Sequence, residues 1–242
     1  GKLLIVRNEE FEDILYPSDC IPLVEAALKG MAVGKAEHPA KYHDIGDWGL
    51  WFFMGGNVFE QGATAIKTGF AAAGNLTCQV IYYDSETAEP KAILEGLKVT
   101  NLRTGAAAAV GAKYMARPDS KVATFVGAGG VCWSSLQALN SVFSLDEVYV
   151  TDISDEAKAS FVERANKRYS FSVFPASIEE GVGKADIVIS ATPSREAIVK
   201  AEWVKPGTHF SAMGSDGKGK QELDSGIHQK ARIVVDSMEQ CL

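Results

Sequence analysis

The chain is poor in residues that hold metals or cross-link a fold. Its four cysteines, Cys20, Cys78, Cys132 and Cys241, lie far apart with no C-x-x-C, and its four histidines show no ligand spacing among themselves or with the cysteines. A structural zinc site is not expected, and reduced thiols of a cytoplasmic protein are the plain reading. No apolar run approaches the length that spans a bilayer, and the N-terminus lacks the pattern of a secretory signal, so no membrane partner is expected. Positive charge is also short. Lys and Arg number 24 against 31 Asp and Glu, a net charge of −7, which argues against nucleic acid or an anionic surface as a partner and for a small molecule.

What is present is core material. With 242 residues, 46% hydrophobic and 23% charged, the chain has room for two modest domains or one large one. It begins without Met and stops just after an apolar run, which reads as one or both ends cut.

Two textures follow one another along the chain. Tyr16 to Asp19 reads as a turn and helix cap, and Ile21 to Met31 carries apolar residues at helical spacing. From Lys41 short aromatic-rich strands follow, at Leu50 to Met54, Ala63 to Thr68 and Cys78 to Tyr83, divided by Gly55-Gly56-Asn57 and by Gly69 to Asn75. Asp84 to Pro90 reads as a hairpin turn into Lys91 to Leu94. Together these suggest an α+β unit. An alanine-rich helix from Asn101 to Ala116, with Thr100 as its cap, ends at Arg117-Pro118-Asp119, which sets the domain boundary: residues 1–116, then 117–242. The second domain reads as doubly wound α/β, with strands at Val122 to Val126, Val148 to Thr151, Phe171 to Phe174, Asp186 to Ser190, Thr208 to Met213 and Arg232 to Val235. Helices are expected between several of them, notably at Glu156 to Arg168 and Ser177 to Gly183.

The most informative stretch is Lys121 to Asp152, in the order strand, glycine turn, helix from Trp133 to Val142, strand, acid. Gly127 permits the tight turn. Gly129 lets backbone N–H groups approach a pyrophosphate, and the helix that follows turns its positive end to that anion. The loop Gly127, Ala128, Gly129, Gly130, Val131 and Cys132 is thus the candidate cofactor cradle, with Cys132 where the usual fingerprint has glycine or alanine. Asp152 falls where a carboxylate accepts ribose hydroxyls and repels a 2′-phosphate, so NAD is expected over NADP.

Beyond this stretch the sequence resembles the ornithine cyclodeaminase and mu-crystallin family nearly end to end. The matching stretches are Ile66-Lys67-Thr68, Tyr83 to Pro90, Thr100 to Ala107, Lys113 to Pro118, Gly127-Ala128-Gly129, Ala212 to Asp216 and Gly219 to Leu223. The resemblance implies an α/β fold: a Rossmann-type dinucleotide-binding domain preceded by an α+β substrate-binding and dimerisation domain, in a homodimer. It also implies residue roles. Lys41, Lys67 and Arg103 take the places of the cations that hold an amino-acid carboxylate, with Lys41 standing for an arginine. Thr77 matches a threonine beside the substrate, and Thr192 and Ser215 fall along the cofactor. Asp216 matches the aspartate that accepts a proton from the α-amino group as hydride leaves the adjacent carbon; taken alone it reads as a turn aspartate among glycines.

Three departures bear on what the resemblance implies. The cyclodeaminase branch has an acid ahead of the methionine of its second strand, where this chain has Phe52, two positions before Met54. Gly130 to Trp133 also replaces a usually polar continuation of the glycine loop, and the sequence reads as lacking the family's C-terminal return segment after Leu242. The expected activity is NAD-dependent hydride transfer at the α-carbon of an amino acid through an imine, as in conversion of ornithine to proline and ammonia. The alternatives are an amino-acid dehydrogenase or ketimine reductase, and a non-catalytic binder of a small ligand and nucleotide.

Overall fold

Alternating side chains and short turns in the first hundred residues produce a mostly antiparallel sheet. The structure is a computed structural model that describes residues 2–11 and 14–241, and the chain divides into two compact units, residues 1–100 with 234–242 and residues 101–233. The first unit holds strands β1 (Leu4–Val6), β2 (Ala36–Glu37), β3 (Tyr42–Gly46), β4 (Gly49–Val58), β5 (Ala63–Ala72), β6 (Asn75–Asp84) and β7 (Pro90–Glu95). They form one sheet in the order β1-β7-β6-β5-β4-β2, with β3 also on β4. Helix α1 (Pro17–Ala32) opens where the Asp19 carboxylate accepts from the Tyr16 amide at 2.9 Å.

All three ten-residue strands, β4, β5 and β6, run further than expected. Gly55 to Asn57 lies inside β4, and β5 continues through Gly69 to Ala72 before turning at Ala73 and Gly74. Those two residues have φ of 50° and 79°, the primed hairpin turn whose twist matches that of the strands.

Helix α2 (Gly96–Met115) starts a turn earlier than the alanine-rich pattern suggested. Thr100 is not its cap: its hydroxyl donates back to the Gly96 carbonyl at 2.6 Å, a bond made within a helix. The division between the units falls inside α2, not after it at residue 116.

The second unit is a five-stranded parallel sheet in the order β10-β9-β8-β11-β12. Its strands are β8 (Val122–Val126), β9 (Glu147–Thr151), β10 (Ser172–Pro175), β11 (Ile187–Ser190) and β12 (His209–Ala212). The helices are α3 (Gly130–Leu139), α4 (Asp155–Arg168), α5 (Ile178–Lys184) and α6 (Ser225–Lys230), and α7 (Met238–Cys241) ends the chain in the first unit. The expected sixth strand at Arg232 to Val235 does not form; the segment is irregular and largely exposed, and the division between the two units falls within it. The fold is Rossmann-type α/β. Parallel strands need cover on both faces, and they have it: Phe125, Val148, Val150, Ile187 and Ile189 pack on one side, and Val126, Val188, Val199 and Leu223 on the other.

Close packing of α2 on α3 shows why Gly105 is small. A Cβ there would lie 2.5 Å from the Ser134 carbonyl carbon and 2.7 Å from the Ser135 amide, so the two helices meet backbone to backbone.

Candidate functional site

Strand order reverses at β8, whose neighbours are β9 and β11. In open parallel sheets the crevice at the carboxyl ends of strands beside such a reversal is where ligands bind. The loops at that end carry Gly127 after β8, Asp152 after β9, Thr192 after β11 and Ser215-Asp216 after β12.

Gly127 has φ of 107°, a left-handed conformation that favours glycine, and its amide donates to the Thr151 carbonyl at 2.8 Å. The next amide, that of Ala128, donates to Asp152 Oδ2 at 2.7 Å, and Asp152 Oδ1 accepts from the Ser154 amide at 2.8 Å. The acid is therefore fixed to the glycine turn on one side and to the start of α4 on the other. Gly129 caps α3 with no side-chain bond to the helix amides, and a Cβ built on it would meet nothing within 4 Å. Amides without a side-chain cap at the start of a ten-residue helix are suited to an anion. Turn, helix end and acid together fit the pyrophosphate and ribose of a dinucleotide.

The unusual continuation of the loop turns inward. Cys132 is fully buried, its Sγ 3.7 Å from the Val126 carbonyl. Burial pushes its thiol well above the usual range, with the carboxylates of Glu222 and Asp152 adding to the effect, so it packs and does not react. Trp133 is buried as well, edge-on to Phe161 with the Arg164 guanidinium 3.8 Å from its ring centre. Gly130 and Val131 begin α3.

Across the crevice, the Thr192 amide and hydroxyl donate to Glu222 Oε1 at 2.7 and 2.8 Å. Ser215 and Asp216 are exposed, and Asp216 Oδ1 receives the Lys220 ammonium at 2.6 Å. Glu222 had no role in the sequence reading. Its one signal there was its position in the matching stretch Gly219 to Leu223.

In the first unit, strand pairing decides which residues meet. Phe52 pairs with Gly69 and with His43, and Met54 pairs with Lys67, so Lys67, Phe52 and His43 share one face. The ammonium groups of Lys41 and Lys67 lie 5.9 and 5.3 Å from the centre of the Phe52 ring. These two expected carboxylate ligands are thus brought together around an aromatic ring. Thr77 is not with them: it pairs with Phe70, three residues from Lys67, and the two-residue period sends it to the opposite face. That face carries exposed Tyr42, Trp51, Phe53 and Phe70, with Tyr42 stacked on Phe53 at 5.0 Å. Arg103 belongs to the second unit, exposed on α2.

Among the described residues no helix is long and apolar enough to cross a membrane, and no group of three or more His, Cys, Asp or Glu is placed to hold a metal ion.

Comparison with known proteins matches residues 4–242 to the ornithine cyclodeaminase/mu-crystallin family. Alanine dehydrogenase of Archaeoglobus fulgidus is 38% identical, over 98% of this chain and 74% of its own length. An archaeal alanine dehydrogenase dimer with bound NAD superposes with a TM-score of 0.92 at 36% identity, covering 99% of this chain and 76% of that one. Thermococcus litoralis Δ1-pyrroline-2-carboxylate reductase, in complex with NADH and L-proline, also gives 0.92, at 31% identity over 98% and 76% of the two chains.

Proposed function

Because the chain belongs to the ornithine cyclodeaminase/mu-crystallin family, we propose that it is an NAD-dependent oxidoreductase working at the α-carbon of an amino acid, as a dehydrogenase or imine reductase. The observation that carries this reading is the Asp152 carboxylate at the end of β9, bonded to the Ala128 amide inside the glycine turn. When bound, NAD supplies the acceptor for a hydride. The residues from Gly127 to Cys132 would hold its pyrophosphate on turn and helix amides, Asp152 its adenosine ribose, and Thr192 and Ser215 would flank it.

The chain's own residues do the rest. Lys41, Lys67 and Arg103 supply cations for the substrate carboxylate, a group that needs paired partners once it leaves water. Asp216 takes up the proton released as the α-amino group becomes an imine, a role for which a carboxylate is suited. Thr77, on the opposite face from Lys67, takes no part in this assignment.

Phe52 between the two lysines favours a short or apolar side chain. A second ammonium, as in ornithine, finds no acid among the residues of that face named above. Cyclodeamination, in which the distal amine attacks the imine and ammonia leaves, is the less favoured reading, and a binding role alone gives no use for Asp216.

The test is incubation with NAD and alanine, proline or ornithine. Accumulating NADH identifies a dehydrogenase, and proline formed from ornithine without NADH identifies a cyclodeaminase. Consumption of NADH with a cyclic imine identifies a reductase, bound NAD with none of these reactions identifies a binder, and failure to bind NAD overturns the reading. The proposal includes a homodimer, with the aromatic face of Tyr42, Trp51, Phe53 and Phe70 covered by a second copy, as the archaeal alanine dehydrogenase was solved as a dimer. Sedimentation as a monomer at micromolar concentration would count against it.

A further inference from the structure

The loops that carry Thr192 and Asp216 leave different strands, β11 and β12, and one side chain joins them. Glu222 is 1% exposed, and each of its carboxylate oxygens accepts two hydrogen bonds. Oε1 takes the Thr192 amide and hydroxyl at 2.7 and 2.8 Å. Oε2 takes the Ser190 hydroxyl at 2.9 Å and the Gly214 amide at 3.0 Å. Burying such a group is costly unless it is bonded in this way.

The Glu222 backbone is itself held. Its carbonyl accepts from the Ile198 and Val199 amides at 2.9 and 3.0 Å, and on either side Gln221 donates to Ser194 and Asp224 to Val199, both at 2.9 Å. The packing is tight at the other end as well. A Cβ on Gly214 would lie 2.5 Å from Glu222 Oε1, from the Thr192 amide and from the Thr192 carbonyl oxygen.

Only a carboxylate satisfies this set. Each oxygen faces a backbone N–H, of Thr192 on one side and Gly214 on the other, and a backbone amide cannot reverse its role. A glutamine has one acceptor oxygen, so in either flip its NH2 confronts one of those amides. A hydroxyl can rotate to accept, but a backbone N–H cannot.

We propose that Glu222 is a positioning residue that sets the spacing of the Thr192 and Asp216 loops, and so the geometry of the NAD-linked step. The role in turnover rests on the function proposed above, whereas the clamp between loops does not. Glu222→Gln is the test, read first without cofactor by amide hydrogen exchange. Segments 190–194 and 213–217 should exchange together about tenfold faster, the size expected for loss of one net hydrogen bond, with segment 122–126 unchanged. In turnover, kcat should fall roughly 10–100-fold, the scale of a small misplacement, while KM for the amino acid changes by less than about threefold.

Loosening of one segment alone, loosening of the whole unit, or no change overturns the clamp. Joint loosening with kcat intact overturns the positioning role. If the wild type turns over no amino acid but the two segments still loosen together, the proposed function fails and the clamp stands. Should Glu222→Gln fail to fold, Ser190→Ala removes one donor without altering charge, and the same two segments should exchange a few-fold faster; unchanged exchange there overturns the proposal.

Discussion

Replacing Asp152 by serine separates two things that its carboxylate does at once. One is repulsion of a 2′-phosphate, which carries nearly two negative charges. For charges about 6 Å apart at an effective dielectric of about 40–80, Coulomb's law gives roughly 1.5–3 kcal/mol, or about 10–100-fold in discrimination. The other is mechanical, since its oxygens accept from the Ala128 amide at 2.7 Å and the Ser154 amide at 2.8 Å. Hydrogen bonds to a charged acceptor are worth about 1.5–3 kcal/mol, and serine restores at most one of the two. NAD affinity should therefore fall about tenfold, NADP affinity should stay level or rise by up to about tenfold, and the ratio between them should narrow by about 10–100-fold. Titration of both nucleotides at one fixed ionic strength reads all three, because exposed charges are screened by salt. Asp152→Asn, which keeps one acceptor oxygen and removes the charge, should narrow the ratio with a smaller loss of NAD affinity. If the wild type binds NADP as tightly as NAD, or if serine weakens both nucleotides equally, the carboxylate is only a brace for the loop and the reasoning is refuted.

Asp216→Asn keeps the shape of the side chain but cannot take up a proton, so steady-state kinetics should show kcat down by roughly 10²–10⁴ with KM little altered. An unchanged kcat would leave Asp216 as a turn residue paired with Lys220. Lys67→Ala removes a cation that serves ground and transition states alike, and it should raise KM strongly with kcat largely kept; the opposite split sinks the carboxylate assignment. Burial holds the His209 imidazole at about 4 against an ordinary 6.5, beside the Ser211 hydroxyl at 2.9 Å. Between those two values the unfolded chain binds a proton that the folded chain does not. Stability is thus full above the upper value and falls as pH drops through the window, by about 3 kcal/mol in all. Urea midpoints across that range should show the slope in the wild type and a flatter one in His209→Gln, and equal slopes would exclude His209 as the cause.

The stretch from Lys121 to Asp152 was legible because its signals are local. A buried strand, a glycine turn, a helix, a second strand and an acid follow one another within reach of a short window; that order stands, while the helix is Gly130–Leu139 and so begins in the glycine turn and ends short of Val142. The first unit is legible in kind but not in length, since glycine within a strand pattern reads as an interruption. Gly69 instead sits within β5 because a Cβ there would lie 2.4 Å from the Phe52 ring and 2.8 Å from the Cys78 Cβ. Which side chains share a face depends on register, and register comes from pairing between strands; hence Lys41 joins Lys67 while Thr77 turns away. Arg232 to Val235 has the composition of a strand but is irregular and largely exposed, which composition alone does not reveal. Glu222 was hidden for a related reason: its partners Ser190, Thr192 and Gly214 lie 32, 30 and 8 residues away.

The placing of the cysteines has a use unconnected with chemistry at the crevice. Cys20 and Cys78 are buried in the first unit, Cys132 is buried in the second, and Cys241 is exposed. A thiol reagent reaches a buried sulfur only when the structure around it opens. With Cys241 blocked in the native state, the remaining thiols time the opening of each unit separately, from inside an unaltered chain.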